Sequence, residues 1–363
     1  MKNLRSNKQK YNENYLKLAF ELAKINLGKT KTNPSVGCVI VKNTSVISSG
    51  HTSINGRPHA EYNALKNNLN YKGSDLYVTM EPCVHLGLTP PCTDIIKRKG
   101  VKRVFFSVSD VDTRTANKSF SVLRQKKIKV TKKKIKNLSD FYKSYFINKN
   151  LSLPFIDAKI ALSKDNYSVN RKKKWITNLS SRIRTHLIRS NYDSIISTSK
   201  TINTDNAQLN CRLKGFDSNK PDLIIIDMKL KIKRNLKIFN FRSKRKIFVI
   251  TSVFKDKKLL FLKKKGVKII YINSLQEKHD FINLFKILKK NGFNRILVES
   301  GLVFLSQLLK KKVISNLFLF KSTDRLGKNG FNKMPIIWNK RLKSLYKIKV
   351  NLNGDQLYKI RLK

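Results

Sequence analysis

Apolar residues recur at helical spacing from Asn12 onward, at Tyr15, Leu18, Ala19, Leu22, Ala23 and Ile25, and Gly28 stands where such a helix would stop. The polar residues 1–11 ahead of it are expected to form a frayed tail. The period then changes. Residues 36–41 and 46–49 read as a strand pair joined by the polar turn Lys42-Asn43-Thr44. A helix is predicted over 59–66, a buried strand over 75–80, and a further helix over 92–99, entered through Pro90-Pro91 and closed by Gly100. A strand over 101–108, a helix over about 119–127 and a short strand near Ile128 complete an alternation that predicts a three-layer α/β domain spanning 12–148.

The second half repeats the alternation with a different count. Strands are predicted over 155–162, 194–197, 223–226, 246–251, 267–272 and 295–299, with helical stretches near 180–190, 280–290 and 302–310. This is a second α/β domain, 153–363, with a mostly parallel sheet. The boundary falls near 147–153, and a chain of 363 residues is long enough for two independent cores. No G-x-G-x-x-G follows any predicted strand, so a Rossmann nucleotide site is not supported.

Charge changes this picture less than its size suggests. The chain has 78 Lys and Arg against 22 Asp and Glu, a net charge of +56, which would bind polyanions through a salt-dependent term. The lysines are spread along the whole chain beside abundant Asn and Ile, as AT-rich codon usage alone would produce, and no usual nucleic-acid-binding module is visible. Runs such as Lys132-Lys133-Lys134 and Lys263-Lys264-Lys265 read as solvated faces. No specific nucleic-acid partner is expected. No apolar stretch reaches membrane-spanning length and the first residues are polar, so the expectation is a cytoplasmic protein with no membrane partner.

Candidate chemistry concentrates between residues 58 and 92. His59, Cys83 and Cys92 offer one imidazole and two thiols, and Glu61 follows His59 by two residues. Three protein ligands with a fourth position left open describe a catalytic zinc rather than a structural one. The order H-x-E, then P-C, then a second Cys is the pattern of the zinc deaminases, in which the metal activates water and the Glu is general acid and base. A core histidine with two buried apolar cysteines is the plainer alternative. The agreement of all elements in order and spacing outweighs it, and a Cys83–Cys92 disulfide is disfavoured by low cysteine usage.

Eight residues separate Cys83 from Cys92, including His85, Gly87 and the run Thr89-Pro90-Pro91, where many deaminases have two. With Asn33-Pro34-Ser35-Val36-Gly37 upstream, this stretch resembles the deaminase half of the bifunctional riboflavin-biosynthesis deaminase/reductases. The second half carries Lys159-x-Ala161-x-Ser163-x-Asp165, Trp175-Ile176-Thr177, Thr201-x-x-x-Asp205 and Val298-Glu299-Ser300-Gly301, which are similar to the reductase half of the same family. The resemblance implies a cytidine-deaminase-like three-layer domain followed by a dihydrofolate-reductase-like α/β domain, one zinc per chain, and NADPH. It assigns Trp175, Thr201, Asp205 and Gly301 to the cofactor, and Arg189, Leu209, Arg212 and Glu299 to a phosphoribosyl pyrimidine substrate. A homo-oligomer is expected.

The implied chemistry is hydrolytic deamination of a phosphoribosylated diaminopyrimidinone, followed by NADPH-dependent reduction of its ribosyl group. Departures from the family pattern are Asn117, Ser119 and Asn166 at usual glycine positions, Lys173 at a usual Ser, Thr198 at a small-residue position and Ala207 at a usual Pro. They leave open a deaminase with an impaired reductase domain. Two further alternatives are a nucleic-acid base deaminase using the basic surface, and a basic RNA-binding protein whose structural zinc takes His85 as fourth ligand.

Overall fold

The computed structural model describes residues 2–216, 221–240, 245–335 and 345–362. The backbone separates into two compact units, Met1–Ser152 and Leu153–Lys363.

In the first unit the elements run α1 (Lys2–Lys24), β1 (Gly37–Lys42), β2 (Ser45–His51), α2 (Ala60–Leu65), β3 (Asp75–Met80), α3 (Cys92–Arg98), β4 (Arg103–Val108), α4 (Ser119–Gln125), β5 (Lys129–Lys132) and α5 (Leu138–Leu151). Two of these correct the sequence reading. Helix α1 begins at Lys2, so residues 2–11 extend the helix rather than form a separate tail. The segment holds Lys, Arg, Gln and Leu and neither Gly nor Pro, so nothing in it breaks a helix. Helix α5 occupies a stretch read only as a passage toward the domain boundary.

The sheet order is β2-β1-β3-β4-β5, with β1 antiparallel to both neighbours and β3, β4 and β5 parallel. Helices lie on both faces. Phe20 of α1 meets Phe141 of α5 edge-on at 5.2 Å, and the Tyr142 hydroxyl of α5 reaches Thr79 Oγ1 in β3 at 2.6 Å, so these two helices share a face. Helices α2, α3 and α4 follow one another across the other.

Glycines set how closely the layers approach. A Cβ on Gly37 would sit 1.9 Å from the Ala19 carbonyl oxygen of α1, and one on Gly50 would sit 2.5 Å from both the Ala60 oxygen and the Ala64 nitrogen of α2. Backbone meets backbone at both points. The second matters for the site, because it fixes the first turn of α2.

The second unit runs β6 (Phe155–Leu162), β7 (Tyr167–Asn170), α6 (Leu179–Arg189), β8 (Ser194–Thr198), α7 (Ser199–Asp205), β9 (Asp222–Ile226), β10 (Ile247–Thr251), α8 (Lys257–Lys264), β11 (Lys268–Tyr271), α9 (Lys278–Lys290), β12 (Arg295–Val298), α10 (Leu302–Lys310), β13 (Asn316–Lys321), β14 (Gly330–Lys333), β15 (Leu345–Lys347) and β16 (Gln356–Arg361). Nine strands form one sheet in the order β11-β10-β9-β8-β12-β6-β13-β16-β15, and β7 pairs with β14 apart from it. Strands β11 through β13 are parallel to their neighbours, and β16 runs antiparallel to β13 and β15.

Inside this sheet Asp157 is buried and accepts from the Tyr192 hydroxyl at 2.5 Å and from Asn316 Nδ2 at 2.7 Å. A carboxylate without water is tolerable when its lone pairs are filled in this way.

Chain order makes one position in this sheet special. From β8 the chain goes to β9 on one side, whereas from β12 it goes past β6 to β13 on the other. The junction of β8 and β12 is therefore a topological switch point, where a crevice opens beyond the carboxyl ends of the strands. Among the described residues no helix is long and apolar enough to cross a membrane.

The approach at Gly50 yields a direct expectation. Gly50→Ala should destabilise the first unit by roughly 1–3 kcal/mol, the usual penalty of overpacking, measured by denaturant unfolding. A change below about 0.5 kcal/mol, within the range of neutral surface substitutions, would mean that α2 can retreat without penalty.

Candidate functional site

The first site is assembled by two helix starts and one strand end. His59 is the N-cap of α2, with φ −71° and ψ 162°, and Cys92 is the first residue of α3. Cys83 lies three residues beyond the end of β3. The chain thus brings together the three residues singled out from sequence, with their ligand atoms all within 4.8 Å of one another.

His59 Nδ1 stands 3.6 Å from Cys83 Sγ and 3.4 Å from Cys92 Sγ. A tetrahedral centre with metal–N near 2.0 Å and metal–S near 2.3 Å would separate N from S by roughly 3.5 Å. One imidazole and two sulfurs at this spacing fit zinc with one position left for water. The backbone N–H of Cys92 donates to Cys83 Sγ at 3.3 Å, which favours a thiolate there.

The electrostatics of the cluster agree. Sharing with the Cys92 thiol draws Cys83 well below the ordinary thiol range, against the opposing effect of burial, while Cys92 is driven up by the same contact and by burial. Burial pulls the His59 imidazole down, but contact with Cys83 and the charge of Glu61 outweigh it. Glu61 is 4% exposed, and burial, with Cys83 adding to it, raises its carboxyl to about 7.

His85 stays out of the cluster, its Nδ1 lying 2.9 Å from Thr115 Oγ1. Glu81 was missed in the sequence and is structurally central. Its buried carboxylate accepts from the backbone N–H groups of Asp110 (3.2 Å), Asn117 (3.1 Å) and Ser119 (3.1 Å) and from Ser119 Oγ (2.9 Å). It ties the 110–119 loop to the strand end that leads to Cys83. The only available signal was a carboxylate in an otherwise apolar run.

Asn117 has φ 59° and Asn166 has φ 71°. Both therefore adopt the left-handed conformation that glycine would supply, and asparagine is among the residues that tolerate it. Two of the departures from the family pattern are thus conservative in backbone terms.

In the second unit the residues fall into two groups. Thr201 and Gly301 meet at the switch point, where the Gly301 N–H donates to Thr201 Oγ1 at 3.2 Å. Thr198 caps α7 by accepting from the Thr201 N–H at 3.2 Å, so this departure serves the helix start. Gly301 is the N-cap of α10, which turns that helix's free N–H groups toward the crevice. Trp175 is 55% exposed, with Lys174 and Arg182 over its ring at 5.3 and 5.0 Å, so it belongs to a surface wall rather than the core. Asp205 ends α7, its carboxyl raised by its surroundings and partly restored by Lys174.

The other group centres on Glu299. Arg189 Nε and Nη2 donate to its two oxygens at 2.6 and 2.9 Å, and Arg189 Nη1 donates to the Asn210 carbonyl at 3.0 Å. The Arg189 fork expected to face a phosphate is thus engaged internally. Lys159 is half-buried beside this pair, pulled down by desolvation and raised in part by Glu299. Arg212 is exposed and, among the described residues, bonds only neutral oxygens, Gln208 Oε1 at 3.1 Å and Asn210 Oδ1 at 2.7 Å. Leu209 is buried, and its carbonyl accepts from Arg245 Nη1 at 2.8 Å.

Two family descriptions match the chain: a cytidine and deoxycytidylate deaminase zinc-binding region over residues 9–108, and a RibD C-terminal domain over residues 154–335. The riboflavin biosynthesis protein RibD of Buchnera aphidicola subsp. Baizongia pistaciae is 33% identical over 330 residues, 86% of this chain and 87% of that protein. The structure of Acinetobacter baumannii RibD, form 2, matches with a TM-score of 0.81 at 26% identity, covering 98% of this chain and 99% of its own. A Thermotoga maritima diaminohydroxyphosphoribosylaminopyrimidine deaminase/5-amino-6-(5-phosphoribosylamino)uracil reductase matches with a TM-score of 0.81 at 26% identity, covering 97% and 98%. The order of a deaminase domain and then a reductase domain, read from sequence, is the order in which the two family descriptions fall along this chain. The chain belongs to the RibD family of bifunctional riboflavin biosynthesis enzymes.

Proposed function

We propose that the enzyme first deaminates 2,5-diamino-6-(5-phosphoribosylamino)pyrimidin-4-one, consuming water and releasing ammonia. It then reduces the ribosyl group of 5-amino-6-(5-phosphoribosylamino)uracil to ribityl. The observation that carries the first step is one imidazole nitrogen and two sulfurs at 3.4 and 3.6 Å beside a buried carboxyl raised to about 7. Zinc in that donor set lowers the pKa of water toward neutrality. Glu61 accepts a proton from the attacking water and delivers it to the departing amino nitrogen, a role suited to a carboxyl that titrates near neutral pH.

For the second step, NADPH supplies the hydride. Trp175, Thr201, Asp205 and Gly301 would hold it at the switch point, where Thr201 and Gly301 already touch. Arg212 is the guanidinium best placed to meet the substrate phosphate, since no carboxylate among the described residues competes for it. Glu299, fixed by Arg189, offers the sugar an acceptor of set direction. A nucleic-acid base deaminase finds no support in a chain whose second half is a reductase domain.

The test is product analysis of the zinc-loaded enzyme. Ammonia release without NADPH, followed by NADPH oxidation and a ribityl product once it is added, is the expected result. A chelator should stop ammonia release and leave the reduction of supplied 5-amino-6-(5-phosphoribosylamino)uracil intact. Ammonia without any reduction would refute the second half of the reading, and no ammonia would refute the first.

Glu61→Gln should retain one zinc per chain and lose about 10²–10⁴-fold in deamination. Near-normal turnover would remove Glu61 from proton transfer. Arg212→Ala should raise the reductase KM for the uracil substrate by about tenfold or more with kcat little changed. An unchanged KM would mean that the phosphate lies elsewhere.

A further inference from the structure

The loop from Gln208 to Arg212 is held in an unfavourable conformation by two arginines, Arg189, which also fixes Glu299, and Arg245, which the proposed chemistry does not use. Leu209 has φ 50°, in the left-handed region that a branched side chain avoids. Its carbonyl accepts from Arg245 Nη1 at 2.8 Å. The next carbonyl, of Asn210, lies 3.0 Å from Arg189 Nη1 and 2.9 Å from His186 Nδ1. Arg212, closing the loop, is braced by the side chains of Gln208 and Asn210, which flank Leu209 on either side. A change in the Leu209 dihedrals would move both braces.

Arg245 sits at high cost. Burial draws its guanidinium down to about 10, opposed by Asp222, with the charges of Arg189 and Arg212 adding to the strain. Its Nη2 is buried with no hydrogen-bond partner among the described residues. Asp222 Oδ1 is taken by the Lys246 N–H at 2.7 Å. Among the described residues the hydrogen bond that Arg245 makes is the one to the Leu209 carbonyl. A half-buried guanidinium that leaves one buried nitrogen without a partner among the described residues while holding one carbonyl breaks a local rule that stability alone would favour keeping, as functional sites do.

We propose that Arg245, which precedes β10, is a positioning residue for the phosphoribosyl substrate: it holds Leu209 left-handed and so aims Arg212 at the phosphate. This rests on the reading of Arg212 as a phosphate ligand. Arg245→Leu removes the donor, and Leu209 relaxes toward an ordinary conformation. Arg245→Lys keeps a cationic donor on a long stem.

The experiment uses the full-length enzyme with its deaminase activity as an internal control of folding. For Arg245→Leu the KM for 5-amino-6-(5-phosphoribosylamino)uracil should rise about tenfold, with kcat within about twofold and the KM for NADPH unchanged. The affinity for ribose 5-phosphate, measured by calorimetry, should fall by a similar factor. Arg245→Lys should stay within about threefold of the unmodified enzyme in both readouts, because one charged donor replaces another.

An Arg245→Leu enzyme with unaltered KM and ribose 5-phosphate affinity overturns the proposal. So does one in which kcat and melting temperature fall while the uracil KM holds, since that is the signature of a packing role. If the unmodified enzyme reduces the uracil but neither ribose 5-phosphate binding nor the Arg212→Ala KM reports a phosphate contact, the reading of Arg212 fails and this proposal falls with it.

Discussion

The first unit depends on a close backbone contact. Gly50 lets β2 run against the first turn of α2, and that turn holds both His59 and Glu61, the residues proposed as metal ligand and acid/base. Metal ligation tolerates errors of a few tenths of an ångström, so donors drawn from separate elements must be placed by rigid packing rather than by loops alone. His59 and Cys92 begin neighbouring helices, and the loop that carries Cys83 is tied through Glu81 to the 110–119 segment. The fixed backbone approach and the saturated carboxylate together give the cluster its spacing.

The second unit solves a different problem. Its parallel sheet reverses its winding between β8 and β12, the position at which a crevice forms beyond the carboxyl ends of the strands. Thr201 and Gly301 come from the two strands' following segments and meet there. On the adjoining side, Glu299 ends its strand with both oxygens engaged by Arg189, so the direction of that carboxylate is settled before any ligand arrives. Preorganisation of this sort limits reorganisation during reaction.

The sequence made the metal cluster legible because metal chemistry demands residue types that have few other reasons to recur in that order. The strands over Asp75–Met80 and Phe155–Leu162 were read to the residue, since turn-forming residues bound each of them, Gly73-Ser74 and Pro82 for the first and Pro154 and Ser163-Lys164-Asp165-Asn166 for the second. Helix α5 was not recognised although Phe141, Tyr142, Tyr145 and Phe146 repeat at helical spacing, because lysines and asparagines dilute the stripe. Short strands such as β7 and β14 carry too few residues for a period to show. The Arg189–Glu299 pair joins positions 110 residues apart, and only tertiary structure can reveal that the guanidinium is already occupied. Glu81 and Arg245 escaped for the same reason: a charged residue's importance lies in what the fold brings to it.

The guanidinium cluster has a kinetic consequence. Arg189, Arg212 and Arg245 act on one another electrostatically, while Glu299 is the carboxylate that hydrogen-bonds within the group. On a chain of net charge +56, that surplus adds to a long-range field of one sign around the cleft proposed to take a phosphate ester. Fields of this kind accelerate diffusional encounter and are screened over about 10 Å at 0.1 M salt. The rate at which the reductase half captures its substrate should therefore be set partly by the ionic strength of the medium, while the turnover of substrate already bound is indifferent to it.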